Sequence, residues 1–374
     1  MAEILRRPRT LALLLRNQRR WDPPGLIGSA SELESSGEGA WLPTPWDAGG
    51  EPPGRHGNLD IDPHLLRIRQ GRILARATDV AVYSASNRML AFGASSFLQG
   101  EDDEHRALRH HPFYRRSLWR RPFPWLEPPT QEPGPLFVLH SPWSHNNYYH
   151  FLIDLLPRLG LFLSRPPSDG PSPKIVTTVT LQGYRAEVLA RTGAPIVCQP
   201  AEPWLHLCAP ELYVVALART NQDVSPKALH YLRQLFAPEL RAAPERTRRL
   251  LVLRGHQAKR PLLNEEALAE ALAARGYEPV RLETLTVAEQ AQRFAAAEVV
   301  VAQHGAGLTN VAFCRPGTTV IELFSQQWFL PMHARITARI GGRHLSFPCE
   351  GGVDMSLRVD VPALLRQLES LSLA

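Results

Sequence analysis

From about residue 136 the apolar residues fall into two rhythms that take turns. Short runs rich in β-branched residues, at 136–141 (LFVLHS), 175–180 (IVTTVT) and 211–216 (ELYVVA), read as strands. Between and after them, at 146–163, 182–193 and 225–240, apolar residues recur every three or four positions, which predicts helices. A second series repeats the pattern. Strands are expected at 249–255, 278–282, 298–303 and 318–324, helices at 264–276, 286–297 and 327–340, and a turn with a helix at 304–313. Alternation of this kind predicts parallel sheets of the α/β class. The Pro- and Arg-containing stretch 238–249 separates the series, so two such domains are expected.

Upstream the pattern changes. Residues 64–92 alternate apolar and polar positions, as short strands with turns do. Residues 104–133, dense in Arg, His, Pro and Trp, read as an irregular or short-helical connection. Residues 1–62 are a basic segment followed by Gly, Pro, Ser and Glu, and nothing in them predicts a core. The expected division is therefore 1–62 as an irregular extension, 63–240 as a first domain and 241–374 as a second. A chain of 374 residues suits about two domains. Its composition, 44% hydrophobic and 21% charged, is that of a globular protein and excludes overall disorder. The apolar run Leu11 to Leu15 is far too short for a membrane span or a signal core. The four cysteines lie far apart, with no CxxC pair, and argue for reduced thiols and a cytoplasmic chain.

The charge sharpens the picture only locally. Formal net charge is +6, and only three of the 42 basic residues are lysines, which reads as drift in a GC-rich genome. Arginine also presents a planar fork suited to phosphate, so an anionic ligand or surface stays open. Residues 241–260 hold seven basic side chains and one acidic one, a concentration that falls next to an expected strand end. No compact DNA- or RNA-binding motif accompanies it, so nucleic acid is not an expected partner.

Three segments carry candidate chemistry. In 298–324 a buried strand runs into His304, Gly305, Ala306 and Gly307, and then a helix start. Glycines there permit a tight turn and close approach to a ligand, and free N–H groups favour an anion. The next strand carries Glu322, placed to accept from ribose hydroxyls if it faces a ligand, and otherwise an ordinary surface carboxylate. In 249–265 a strand delivers Arg254 into a loop with His256, Lys259 and Arg260, followed by Asn264 as helix cap with Glu265 and Glu266 in the first turn. That loop is a pyrophosphate clamp or a solvated basic loop. In 144–162, winding at about 100° per residue puts Asn147, His150, Asp154 and Arg158 on one stripe opposite a leucine stripe, with Pro157 expected to kink or break the helix. His150 and Asp154 at i,i+4 are either a solvent-facing ion pair or a pair in which one orients the other as proton acceptor.

Taken together, NYYHFLIDLLPRL, LRGHQAKRPLLNE and TVAEQAQRFAAAEVVVAQHGAGLTNVAFCRPGTTVIEL resemble glycosyltransferase family 61, the capsular polysaccharide biosynthesis type in its bacterial branch. The resemblance runs from roughly 135 to 330. It implies a GT-B-like fold, two Rossmann-like domains with parallel sheets facing a central cleft. It also implies an inverting transferase that takes a sugar from a nucleotide-sugar, UDP-linked, to a saccharide or lipid-linked saccharide acceptor. Arg254 and Arg260 would then contact the diphosphate, His304 to Gly307 would cradle it, and Glu322 would meet the ribose. His150 or Asp154 would be the base, with Asn147, Arg158, Asn264 and Asn310 as further cleft candidates. No DxD pair sits in a strand–helix loop, since Asp102–Asp103 lies in an acidic cluster outside the resemblance. Neither a metal nor a bound cofactor is therefore expected. The expected location is the cytoplasm, at the inner face of the membrane, with the basic N-terminus as a contact to anionic lipid.

Other classes fit less well. No strand is followed by GxGxxG, which argues against a dinucleotide oxidoreductase. Gly93–Phe97 lacks the second glycine of a hydrolase's GxSxG elbow. A catalytically inactive GT-B-like protein that binds sugar or nucleotide would share every feature above and stays open.

Overall fold

The computed structural model describes residues 26–27, 30–44, 64–76, 79–90, 128–141, 143–167, 170–200, 205–216, 224–245, 248–255, 260–325, 330–352 and 356–373. The basic segment 1–20, Gly93–Phe97, Asp102–Asp103, most of 104–133, His256 and Lys259 lie outside the described residues. The chain divides into two compact units. The first takes in the described residues of Met1–Asn146, Asp154–Leu181 and Gly193–Arg219; the second those of Asn147–Ile153, Gln182–Thr192 and Thr220–Ala374.

The first unit is built on a mixed sheet. Leu205–Ala216, Leu136–Leu139, Lys174–Thr177 and Ile196–Cys198 are parallel neighbours in that order. On the other side of Leu205–Ala216 the pairing turns antiparallel, through His64–Arg76 to Asp79–Tyr83. The parallel expectation thus holds only where crossover segments separate the strands. Two residues join 64–76 to 79–83, which permits a hairpin and nothing else. Strand Leu205–Ala216 also starts six residues earlier than its apolar run suggests. Pro210, which cannot donate to the ladder, interrupts it opposite Gln70, where the backbone reaches φ 46°. Gly71 beside it is obligatory, because a Cβ there would lie 2.6 Å from Cβ of Leu212.

The core of this unit joins Leu66, Ile68, Ile73, Val138, Val176 and Leu212 to Ile27 and Leu33, both fully buried. Residues 26–42 form two short strands and the helix Ala30–Ser35 around those two side chains, so part of the segment from which no core is expected supplies one. At the end of strand Leu136–Leu139, Nδ1 of buried His140 lies 2.7 Å from Oγ1 of Thr178.

The second unit is a six-stranded sheet in the order Tyr277–Arg281, Arg248–Leu253, Ala297–Gln303, Thr319–Ser325, Arg343–Gly351, Leu357–Arg358. Its first five strands are parallel and the last pairs antiparallel. One face carries Leu251, Val299, Val301, Ile321 and Leu323 against Leu268 and Leu272 of helix Glu265–Ala273 and Leu364 and Leu368 of helix Val361–Ser370. Side chains alternate across a strand, so Val320 and Glu322 point to the opposite face. That face is covered by helix Met332–Arg339 and by Ala306–Phe313, which is wound as a 3₁₀-helix. Both units are thus α/β with parallel sheet segments. Among the described residues no disulfide joins the four cysteines, and no helix is long and apolar enough to cross a membrane.

His140 makes the fold pH-sensitive in a defined direction. Burial, then the charges of Arg158 and His145, push its pKa from 6.5 down to about 3. The unfolded chain therefore takes up a proton below about pH 6.5 that the folded chain refuses, and stability falls with pH in that window. His140→Gln is expected to flatten the decline between pH 6 and 4 by up to about 1.4 kcal/mol per pH unit, measured by urea unfolding. Parallel wild-type and variant curves would contradict the assignment.

Candidate active site

The strands Arg248–Leu253 and Ala297–Gln303 are parallel neighbours, so their C-terminal ends emerge side by side. One end delivers Arg254, the other His304 and Gly305. The bare α-carbon of Gly305 lies against the Arg254 guanidinium: a Cβ there would meet Nη1 at 2.8 Å. Main-chain N–H groups of Arg254 and Gly255 donate to the Glu265 carboxylate at 2.5 and 3.1 Å, which fixes the strand's exit. Gln303 donates from Nε2 to the Arg260 carbonyl at 2.9 Å and draws the far end of the loop to the same place. Arg260 sits at φ 57°, a strained conformation for an arginine.

The electrostatics agree with the geometry. Burial, then the charge of Arg260, lowers the Arg254 pKa, while Glu265 works the other way; burial lowers that of Arg260. The repulsion that Arg260 exerts on the half-buried Arg254 guanidinium is of the kind an anion relieves. The first hydrogen bond of the 3₁₀-helix runs from Leu308 N–H to the Gly305 carbonyl at 3.0 Å. The N–H groups of Ala306 and Gly307 precede that first bond, as at any helix start. Arg254, Arg260 and His304–Gly307 are therefore brought together. His256 and Lys259, expected beside them, lie outside the described residues.

Glu322 is placed differently from the expectation of a ribose contact. It is fully buried, and Oε1 accepts from Nδ1 of His304 at 2.5 Å and of His333 at 2.8 Å, while Oε2 accepts from Nε2 of His344 at 2.7 Å. Burial raises its pKa, but the three imidazole bonds outweigh that and hold it well below the ordinary carboxylate range. Both oxygens are occupied and sealed from solvent. The reason is positional: the strand runs on to Ser325, so Glu322 sits within the strand and faces the covered side of the sheet.

The 147–153 segment belongs to the second unit. Oδ1 of Asn147 accepts from the N–H groups of Tyr149 and His150 at 2.9 and 3.3 Å, a helix cap in place of the expected cleft contact. The Tyr148 hydroxyl donates to Oδ1 of Asn310 at 2.9 Å. Asn310 in turn donates from Nδ2 to Oε1 of Gln290 at 2.8 Å and to the Gly307 carbonyl at 3.2 Å. Gln290 completes the set by donating to the carbonyls of Leu282 and Leu285 at 3.0 and 3.1 Å. Asn310 thus serves as a buried link between Tyr148 and the glycine turn. Burial, with Glu187 and Tyr184 adding, pushes the Tyr148 phenol well above its ordinary value. The Tyr149 ring stands edge-on to His333, with centroids 6.3 Å apart.

Downstream the helix neither simply kinks nor breaks at Pro157. It passes through a widened π turn, His150–Leu155, before the α-helix Leu156–Ser164, with Pro157 in that helix's first turn. A proline cannot donate to the carbonyl four residues back and clashes with it; a wider turn immediately upstream accommodates both. The expected stripe at four-residue steps is altered accordingly. Arg158, in the first unit, donates from Nε to the Asp154 carbonyl at 2.9 Å and from Nη1 to the Val215 carbonyl at 2.5 Å. Burial pushes its pKa down to about 10, against the pull of Asp154. It holds main chain in place. His150 and Asp154 are half-buried, and the chain passes from the second unit to the first between Ile153 and Asp154.

Asn264 departs from its expected capping role as well. Its Nδ2 donates to the Val359 carbonyl at 2.8 Å and its Oδ1 accepts from Val359 N–H at 3.0 Å. Glu265 and Glu266 do occupy the first turn of the helix that follows. His333, His344, Tyr148 and Gln290 are not among the site residues expected from sequence. Tyr148 lies within NYYH, while His333, between Met332 and Ala334, and His344, beside Arg343, belong to no motif.

These residues gather two arginines and a glycine turn at the strand ends of an α/β unit. Residues 148–321, a little under half of the chain, match the family model described as Glycosyltransferase 61. That match supports glycosyltransferase activity, and it spans Tyr148, Arg254, the glycine turn and Asn310. No curated protein matches the chain.

The Tyr148 network yields a direct test. Tyr148→Phe removes the donor to buried Asn310 and is expected to cost about 1–3 kcal/mol in chemical denaturation of the full chain. An unchanged unfolding midpoint would show that the network does not hold segment 147–153.

Proposed function

We propose that this chain is an inverting glycosyltransferase that takes a sugar from a UDP-linked donor to a saccharide or lipid-linked saccharide acceptor. The observation that carries the reading is the Arg254 guanidinium against Gly305 at parallel strand ends, with Arg260 drawn in by its carbonyl to Gln303 and near enough to act on Arg254 electrostatically. A diphosphate matches it in charge and in the bidentate geometry that guanidinium offers. On this reading the two α/β units are the two Rossmann-like halves of a GT-B transferase.

The step balances simply. The acceptor hydroxyl loses its proton to Asp154 or His150 as its oxygen bonds to the anomeric carbon. The bond from that carbon to the diphosphate oxygen breaks, and UDP leaves with the electron pair. Arg254, Arg260 and the N–H groups of the turn stabilise the charge on the leaving diphosphate, so this step is drawn without an ion. Whichever of His150 and Asp154 is not the base orients the other. The same reading places the enzyme in the bacterial cytoplasm, at the inner face of the membrane, in the synthesis of a surface polysaccharide. There the basic N-terminus would meet anionic lipid.

UDP at saturating concentration is expected to raise the thermal midpoint of the wild-type chain. Arg254→Ala is expected to weaken UDP binding at least tenfold by calorimetry. Asp154→Ala and His150→Ala should bind UDP normally and lose sugar transfer. Absence of UDP binding would overturn the donor assignment, and full turnover in both variants would overturn the base. Binding without transfer in the wild type, across a panel of UDP-sugars and acceptors, would identify an inactive relative instead.

A further inference from the structure

The buried cluster beneath the glycine turn has chemistry that the transfer reaction does not use. His304 ends strand Ala297–Gln303, Glu322 lies in strand Thr319–Ser325, and His333 is in the first turn of helix Met332–Arg339. Three separate elements of the second unit thus aim one imidazole, one carboxylate and one imidazole at a single point. Their ligand atoms all lie within 4.8 Å of one another. The residues are 4%, 0% and 1% exposed, so water does not solvate them.

Two observations show that hydrogen bonding alone leaves this cluster incomplete. The first is charge. An ionised carboxylate in a sealed interior needs a counter-charge, because the desolvation cost of a buried ion is several kcal/mol. Its three partners are imidazoles of the same sealed cluster, and a metal ion among them supplies the counter-charge directly. The second is an orphan. Nε2 of His333 is buried and has no hydrogen-bond partner, while Nδ1 of the same ring is engaged by Glu322. Nδ1, the nitrogen turned to Glu322, is the one that would meet an ion, and Nε2 on the far side of the ring stays free of protein partners.

We infer that His304, Glu322 and His333 form a binding site for one divalent transition-metal ion, with zinc as the best match, held as a structural ion beneath the glycine turn. Two imidazoles and a carboxylate are a donor set that zinc favours, whereas magnesium and calcium take oxygen ligands. Zinc–ligand bonds of about 2.0–2.2 Å in a tetrahedron separate ligand atoms by roughly 3.3–3.5 Å. The present N···O contacts of 2.5 and 2.8 Å would open by less than an ångström to admit the ion. His344, on the other carboxylate oxygen at 2.7 Å, would orient Glu322 as outer partners of metal sites commonly do. Three protein ligands leave a fourth tetrahedral position, which the cluster's burial would close to substrate and fill with a water molecule. The ion would therefore brace the turn and stand outside the chemistry of transfer, and the inference does not depend on that reaction.

The test uses the full chain without a polyhistidine tag, stripped with chelator and passed through a desalting column. Zinc titration by calorimetry is expected to give one site per chain and to raise the thermal midpoint. Cobalt in place of zinc should give the visible absorption of a four-coordinate nitrogen–oxygen site, a readout that needs no variant. His333→Asn keeps a donor to Glu322 and is expected to weaken zinc binding tenfold or more, with Glu322→Gln doing the same. No saturable zinc binding, or zinc affinity unchanged in a folded His333→Asn chain, would overturn the inference. So would a cobalt spectrum typical of six-coordinate solvent-exposed ion.

Discussion

A carboxylate with no exposure to solvent, set within a sheet, constrains everything around it. Glu322 can stay there only if its oxygens are fully engaged, and the groups that engage them come from the ends of three other segments. His304 is one of those groups. Its side chain turns inward to meet Glu322, and the main chain that follows turns the opposite way into Gly305, Ala306 and Gly307. The sharpness of the turn, and with it the line of approach for Arg254, follows from where a buried charge finds its donors. The apolar face of the same sheet could be repacked with modest loss, because hydrophobic contacts are not directional. The Glu322 face could not.

A second polar network performs the corresponding task for the 147–153 segment. Tyr148, Asn310 and Gln290 exchange hydrogen bonds and tie that segment to the Gly307 carbonyl. A buried network of this kind is costly when incomplete and rigid when complete. Here Asn310 and Gln290 both donate and accept, and the Tyr148 hydroxyl donates. His150 follows Tyr148 by two residues, so its position is inherited from the network. The π turn that begins at His150 is the means by which the helix reaches Pro157.

Much of this was legible in sequence, for reasons that differ between elements. The second series of strands and helices is regular because its central strands, Ala297–Gln303 and Thr319–Ser325, are buried on both faces and its helices have one apolar side, so periodicity reports it directly. The meeting of Arg254 with the glycine turn was legible too, since both follow parallel strands. The direction of Glu322 was not. It depends on where the strand ends, and a shift of the assumed end changes whether a side chain meets ligand or core. Asn264 has the sequence position of a cap, but its own partner, Val359, lies 95 residues away. Strand Arg343–Gly351 is not among the expected elements, since five of its nine residues are exposed and only Phe347 and Cys349 are buried; helix Val361–Ser370 is not among them either. Strand Leu205–Ala216 was shortened by Pro210, and the antiparallel half of the first sheet is set by a two-residue connection whose effect on sheet type appears only once 64–76 is recognised as one strand.

The central claim is that the strand ends carrying Arg254 and Gly305 hold a nucleoside diphosphate. The most direct measurement is a crystal structure of the chain grown with UDP. The account predicts the diphosphate within hydrogen-bond distance of the Arg254 guanidinium and of main-chain N–H groups between Gly305 and Gly307. Density for UDP elsewhere on the chain, with Arg254 still folded against Gly305, would contradict it.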